Sequence, residues 1–327
     1  MPKINDVAEN AGVSITTVSR VLNNRGYISE STRNKVFLAM KELNYQPNEM
    51  ARSLYRKKSN MIGLIIPTVT NPFFSELTYH LEYFANLKGY KLVLCNSMKN
   101  IQKEHDYIDM LKKNQVDGIL VGSSVLDVEH YLNLNLPIVS FERTLANIPT
   151  VTSDYITGGK LAAQLLLDKG CLKPALIFQA GGGPHHQSLL TAGIGQGFED
   201  VLKGTAIRPV YMELDPDINI NQCHGNELLR IFNEHPEIDG VLTEDLLAAE
   251  IIRICNRLDK KIPEDIKLIG YDDVMIPSLL SPRLSSVRQP IKEMSEYIIE
   301  SIIKQIKGEV VPMLHTIPVT LIERETT

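Results

Sequence analysis

No apolar run in the 327 residues approaches the roughly 20 that a membrane-spanning helix needs; "MIGLIIP", residues 61–67, is among the longest. The amino terminus, "MPKINDVAEN", is polar from its third residue and lacks the apolar centre of a secretory signal, so a cytoplasmic protein with no membrane partner is expected. Cysteine is scarce: Cys95, Cys171, Cys223 and Cys255 lie far apart, with no CxxC and no zinc-ligand spacing among them and the eight histidines. That excludes a disulfide framework or zinc module and leaves reduced, buried thiols. GxSxG, HExxH and P-loop signatures are absent, as are paired carboxylates at an informative spacing, so the reading is of a non-enzyme without cofactors.

What is present divides unevenly along the chain. Residues 1–60 hold ten Lys or Arg against five acids, a net +5, which leaves −10 on the remainder of a chain whose total is −5. A basic head on an acidic body points to a polyanion-binding module joined to something that does not bind polyanions. With 43% hydrophobic and 22% charged residues the composition is that of a globular protein, and the length calls for more than one core.

From Met61 onward, β-like runs alternate with amphipathic stretches: "MIGLIIP", "YKLVLCN", "DGILVG" and "PIVSFE", and after "TVTSD" a second series, "PALIFQ", "RPVYMEL", "DGVLT" and "IKLIGYD". That is the rhythm of parallel, doubly wound sheets, and two series imply two lobes with a cleft. Ligands bind such folds beyond the carboxyl ends of the strands, so "TVTNPFF", "GSS", "ERT", "QAGGG", "TED" and "YDD" are the loops to inspect. "QAGGGPHH", residues 179–186, follows a strand but lacks a GK[ST] ending, which favours a loop at the cleft edge over a phosphate cradle; His185 and His186 have no third metal ligand at useful spacing.

The head poses a conflict. In "AGVSITTVSRVLNN", residues 11–24, five of the six residues from Val13 to Val18 are β-branched, which reads as strand, while the flanks read as helix. Ile4, Val7, Ala8 and Ala11 recur at helical spacing, Gly12 ends that helix, and Ser14 is an N-cap for another. On a wheel from Ser14 to Asn23, Val18, Val21 and Leu22 share one face and Thr16, Arg20 and Asn23 the other, with Ile15 nearer the core side. Arg can fork onto guanine, Thr can meet a thymine methyl and Asn can pair with adenine, so helix, turn, helix is a DNA-reading arrangement. A third helix capped by Ser29 closes the core with Val36, Met40 and Leu43.

The stretch "INDVAENAGVSITTVSRVLNNRGYISESTRNKVFLAMKELNYQPNEMARSL" resembles the DNA-binding head and hinge of the LacI/GalR family of bacterial transcription repressors. The body is similar to that family as well, through "NPFF", "QVDGILVG", "SDYITGGKLAAQLL", "IPEDIKLIGYDD" and "LSSVRQP"; "SELTYHLE" and "AAQLLLDKGCLKP" are particularly similar to the sucrose operon repressors of Gram-positive bacteria. The resemblance implies an all-α helix-turn-helix head over 1–46 and a hinge helix over 47–60. The body, 61–327, would be an α/β, periplasmic-binding-protein-like pair of doubly wound parallel-sheet subdomains. Its N-subdomain would take about 61–157 plus 290–320 and its C-subdomain about 158–289 plus 321–327.

The same resemblance implies that Ile15, Thr16 and Arg20 read bases, with Asn23 and Asn48 beside them, and that Arg52 serves phosphate together with Arg56, Lys57 and Lys58. Leu54 would wedge into the minor groove from two symmetry-related subunits, kinking the duplex. Family effector positions fall on Phe73, Phe74, Glu142, Arg143, Glu244 and Asp272. Two depart from the family pattern: Ile194 stands where an Arg is usual, and Glu244 where an Asn is usual. The implied partners are double-stranded operator DNA, a sugar or sugar-phosphate effector and a second copy in a homodimer; no leucine heptad follows "LIERETT", so the tetramerising tail is missing. Regulation of another sugar or nucleoside pathway, with a corepressor or a protein partner, is the alternative, and a cytoplasmic solute-binding protein a more distant one.

Overall fold

The computed structural model describes residues 2–46, 58–122, 125–179, 189–214 and 224–327. The chain divides into two compact units, Met1–Ser59 and Asn60–Thr327.

In the first unit the helical reading prevails. α1 (Ile4–Ala11) ends at Gly12, which takes the left-handed conformation at φ 64°, and α2 (Ile15–Leu22) and α3 (Glu30–Glu42) follow. Val7, Ala8, Val18, Val21, Val36 and Ala39 form the buried core, with Met40 and Leu43 packed against it. Burying Val18 and Val21 on one stripe outweighs the few tenths of a kcal/mol by which each β-branched residue disfavours a helix. The strand-like stretch is therefore turn and helix.

The second unit contains two six-stranded sheets. The first is built from β1 (Met61–Ile66), β2 (Lys91–Asn96), β3 (Gly118–Val121), β4 (Ile138–Phe141) and β5 (Thr150–Ser153), with β11 (Leu314–Ile317) at its edge. Its order is β11-β5-β4-β3-β1-β2, parallel throughout. α4 (Pro72–Leu87), α5 (Ile101–Lys113) and α6 (Val128–Leu132) connect its strands. Alternate residues feed opposite faces: Ile62, Leu64 and Ile66 join one core, and Ile65 joins the other. Strands buried on both sides read as continuous apolar runs, which is why "MIGLIIP" was so legible.

The second sheet takes β6 (Pro174–Gln179), β7 (Val210–Leu214), β8 (Gly240–Thr243), β9 (Lys267–Asp272), β10 (Ser285–Arg288) and β12 (Thr320–Ile322). Its order is β12-β10-β9-β8-β6-β7, and only β12 runs antiparallel to its neighbour. α7 (Tyr155–Asp168) and α8 (Leu189–Leu202) cover one face; α9 (Gly225–Glu234) and α10 (Asp245–Arg257) cover the other, and α11 (Ile276–Leu279) is a short turn after β9. Tyr155 already packs in the second lobe's core.

The last long helix, α12 (Ile291–Ile306), returns to the first lobe. Met294, Ile298 and Ile302 are fully buried there against α4 and the first sheet, so this apolar stripe is core and not an exposed interface. Among the described residues no helix is long and apolar enough to cross a membrane. Cys95, Cys171 and Cys255 are buried free thiols, each pushed up to about 11 by burial; Cys223 lies outside the described residues.

Candidate functional site

In the head, Ser14 Oγ accepts the Thr17 backbone N–H at 3.1 Å and starts α2. Thr16 and Arg20 are exposed on the face opposite Val18 and Val21. Ile15 departs from the helical-wheel expectation: it is 47% exposed and outside the core cluster. It is the first residue of α2, and helical side chains lean toward their own N-terminus, which carries this one past the end of a small core. The Arg20 guanidinium lies against Gly26, where a Cβ would come within 2.5 Å of Nη2. Asn23 is half-buried, and its Nδ2 donates to the Ser19 carbonyl at 2.8 Å, so its amide is engaged by its own helix. Asn48, Arg52, Leu54, Arg56 and Lys57, with the rest of the hinge up to residue 57, lie outside the described residues, as do His185 and His186.

In the body, the carboxyl ends of strands from both sheets bring three acids together. Glu142 follows β4, Glu244 follows β8 and Asp272 ends β9. Glu142 and Asp272 occupy positive φ, at 64° and 108°, a backbone cost of about 1–3 kcal/mol each that the surrounding fold must offset. The Tyr155 hydroxyl donates to Glu142 Oε1 at 2.5 Å. Burial, the largest influence, pushes Glu142 up to about 7; the Tyr155 hydrogen bond opposes this and the Glu244 charge adds to it. Burial pushes Glu244 up to about 7 as well, against the pull of Lys99. Asp272 is held well above the usual carboxylate range by burial and by Asp245, Glu244 and Glu142.

Hydrogen bonds tie this cluster to both lobes. Gln289 Nε2 donates to Asp272 Oδ1 at 2.6 Å, and Gln289 Oε1 accepts from Ser153 Oγ at 2.6 Å, so one buried amide joins β5 of the first sheet to β9 of the second. Asp245 accepts from Ser286 Oγ at 2.7 Å and from the Val274 N–H at 3.1 Å. The neighbouring Asp273 is clamped by Arg288 and Arg324, each at 2.7 Å. Tyr271 is fully buried, and its hydroxyl has no partner among the described residues.

Other candidates sit differently. Phe73 and Phe74, edge to face at 5.2 Å, are buried in the first lobe's core at the start of α4. Arg143 directs Nη1 to the Leu126 carbonyl at 3.5 Å. Ile194 is fully buried in the second lobe's core. Sequence reasoning missed Tyr155, Tyr271 and Gln289; "SDY" and "VRQP" were visible, but which lobes those side chains bridge depends on how the chain crosses between the sheets.

A helix-turn-helix unit joined in one chain to a two-lobed α/β body, with buried acids where strand ends of the two sheets meet, defines the class of DNA-binding regulators with a small-molecule domain. Residues 3–48 match the bacterial regulatory proteins, lacI family, and residues 163–327 match the periplasmic binding protein-like domain. The chain is 40% identical over 326 residues to a sucrose operon repressor of Streptococcus mutans, covering 99% of each chain. It is 39% identical over 331 residues to a ribose operon repressor of Bacillus subtilis, covering 100% of this chain and 99% of the other. A periplasmic binding protein/LacI transcriptional regulator of Alkaliphilus metalliredigens, complexed with D-xylulofuranose, superimposes with TM-score 0.73 at 32% identity, over 82% of this chain and 99% of that one. The lac repressor dimer bound to operator shares the fold, with TM-score 0.86 at 24% identity over 99% and 98%. The chain belongs to the LacI family of bacterial regulatory proteins.

Proposed function

We propose that the chain is a sugar-responsive, DNA-binding transcriptional repressor acting as a homodimer on a pseudo-palindromic operator. The observation that carries the reading is full-length similarity to sugar operon repressors in a chain that joins a capped helix-turn-helix to a body with a cluster of buried acids between its two sheets. In this reading residues 1–46 are the head, 47–60 the hinge and 61–327 the effector body. Thr16 and Arg20 read bases, Ile15 supplies an exposed apolar contact, Asn23 and Asn48 flank them, Arg52 meets phosphate and Leu54 wedges the minor groove. Glu142, Glu244 and Asp272 accept sugar hydroxyls, with Arg143 at the margin and Phe73 and Phe74, in the core, supporting the start of α4. Repression rather than catalysis fits the relatives' names, and a DNA-bound regulator works in the cytoplasm. Relatives named for sucrose and for ribose operons stand within two per cent identity of each other, so a sugar is the class the similarity supports.

Effector binding shifts operator affinity only if the two lobe arrangements bind it unequally, and Gln289, tied to both sheets, is placed to report that difference. The test is selection of binding sites from random duplexes with the full chain, followed by fluorescence anisotropy on the recovered site with and without sucrose, fructose or ribose. A symmetric site whose affinity moves at least fivefold with one of these sugars is expected. Binding without base preference at physiological salt overturns the DNA reading.

A further inference from the structure

We infer that the cleft takes an uncharged sugar and discriminates against its phosphate ester, which deepens the sugar reading above and rests on it. Three observations converge. Glu142, Glu244 and Asp272 act on one another electrostatically at the junction of the two sheets, and Asp245 adds a fourth acid behind Asp272. The raised values at Glu142 and Glu244 are those of acids buried without a matching cation, since exposed Lys99 is the sole positive charge among their named influences.

Among the described residues, two nearby arginines are committed to another acid. Arg288 and Arg324 are spent on Asp273, and Arg143 directs Nη1 to the Leu126 carbonyl. Ile194, buried in the second lobe's core, adds no charge.

The third observation is a group that wants a hydroxyl. Tyr271 is fully buried beside Glu142 and Asp272, whose charges act on it, and its hydroxyl lacks a partner among the described residues. Carboxylates accept protons from sugar hydroxyls, and an orphaned phenol can donate to a ring or hydroxyl oxygen. Above pH 7, where Glu142 and Glu244 are ionised, a phosphate dianion brings only acceptors to a site that already holds charges of its own sign.

The test is isothermal titration of the full-length protein with matched pairs: D-fructose and D-fructose 6-phosphate, sucrose and sucrose 6-phosphate, D-ribose and D-ribose 5-phosphate. The expected result is binding of at least one parent sugar, with its ester at least tenfold weaker. The titrations are run at pH 8, where Glu142 and Glu244 are ionised, and in Glu244→Gln the gap narrows at least threefold because one repelling charge is gone. An ester that binds as tightly as its parent, or tighter, overturns the inference while leaving the sugar-responsive reading intact. Silence from every pair, parent and ester alike, overturns both.

Discussion

Glu142 shows what a single side chain contributes and costs. Its carboxyl sits at positive φ, takes the Tyr155 hydroxyl and is pushed up to about 7 by burial, from an ordinary value near 4.5. Between those two values the folded chain holds a proton that the unfolded chain has released. Stability on this account is greatest below the unfolded value, declines as pH rises toward about 7, and is constant above it. Glu142→Gln keeps an acceptor for Tyr155 and removes the ionisation. It should stabilise the ligand-free protein by about 1 kcal/mol or more at pH 8 and by nothing measurable at pH 4. Thermal midpoints at the two pH values check this, and equal gains at both would remove burial of the charge as the cause. In the head, Arg20→Ala should flatten base preference at one position per half-site, with a loss of about 1–3 kcal/mol on the preferred duplex and little on others. Anisotropy against single-base operator variants reads the difference; a uniform loss would place Arg20 on phosphate instead.

The elements themselves were largely legible in the sequence. Ser14, Ser29 and Gly12 mark helix ends, and the cap hydrogen bonds form at Ser14 and Ser29 where the residue types call for them. The central strands of both lobes are legible in the sequence because parallel strands buried on both faces have no polar alternation to blur them, whereas the edge strand β7 alternates in burial. What could not be read was how closely elements approach. A Cβ on Gly159 would strike the Ile194 carbonyl, and one on Gly197 would strike the Ile156 carbonyl, so α7 and α8 pack backbone against backbone. Gly159→Ala and Gly197→Ala should each cost about 1–3 kcal/mol by forcing the helices apart. Gly195 on the same helix meets only Tyr211 Cε1 at 3.8 Å, and Gly195→Ala should be neutral or stabilising by up to about 1 kcal/mol. Urea midpoints of the three variants test the pairing of those helices, and equal effects would refute it.

At the scale of the whole molecule, one recognition helix reads a half-site, so operator symmetry requires two chains. Sedimentation equilibrium at micromolar concentration should return a dimer, with two chains per duplex on operator DNA; a monomer bound to the full site would refute the symmetric arrangement. The apolar stripe of α12, Met294, Ile298 and Ile302, is buried against α4 and the first sheet. A helical stripe looks the same in sequence whichever surface covers it.

By itself the sequence determined the basic helical head and the two series of parallel strands, because charge, capping and periodicity are local properties. Tertiary structure decided which acids share a cleft: Glu142, Glu244 and Asp272 come from strands up to 130 residues apart and meet only because the chain crosses between two sheets. It also decided that Ile15 is exposed, that Phe73 and Phe74 are core, and that Gln289 joins the lobes. Burial, and the raised carboxylates that follow from it, is set by distant neighbours; no window of sequence contains it.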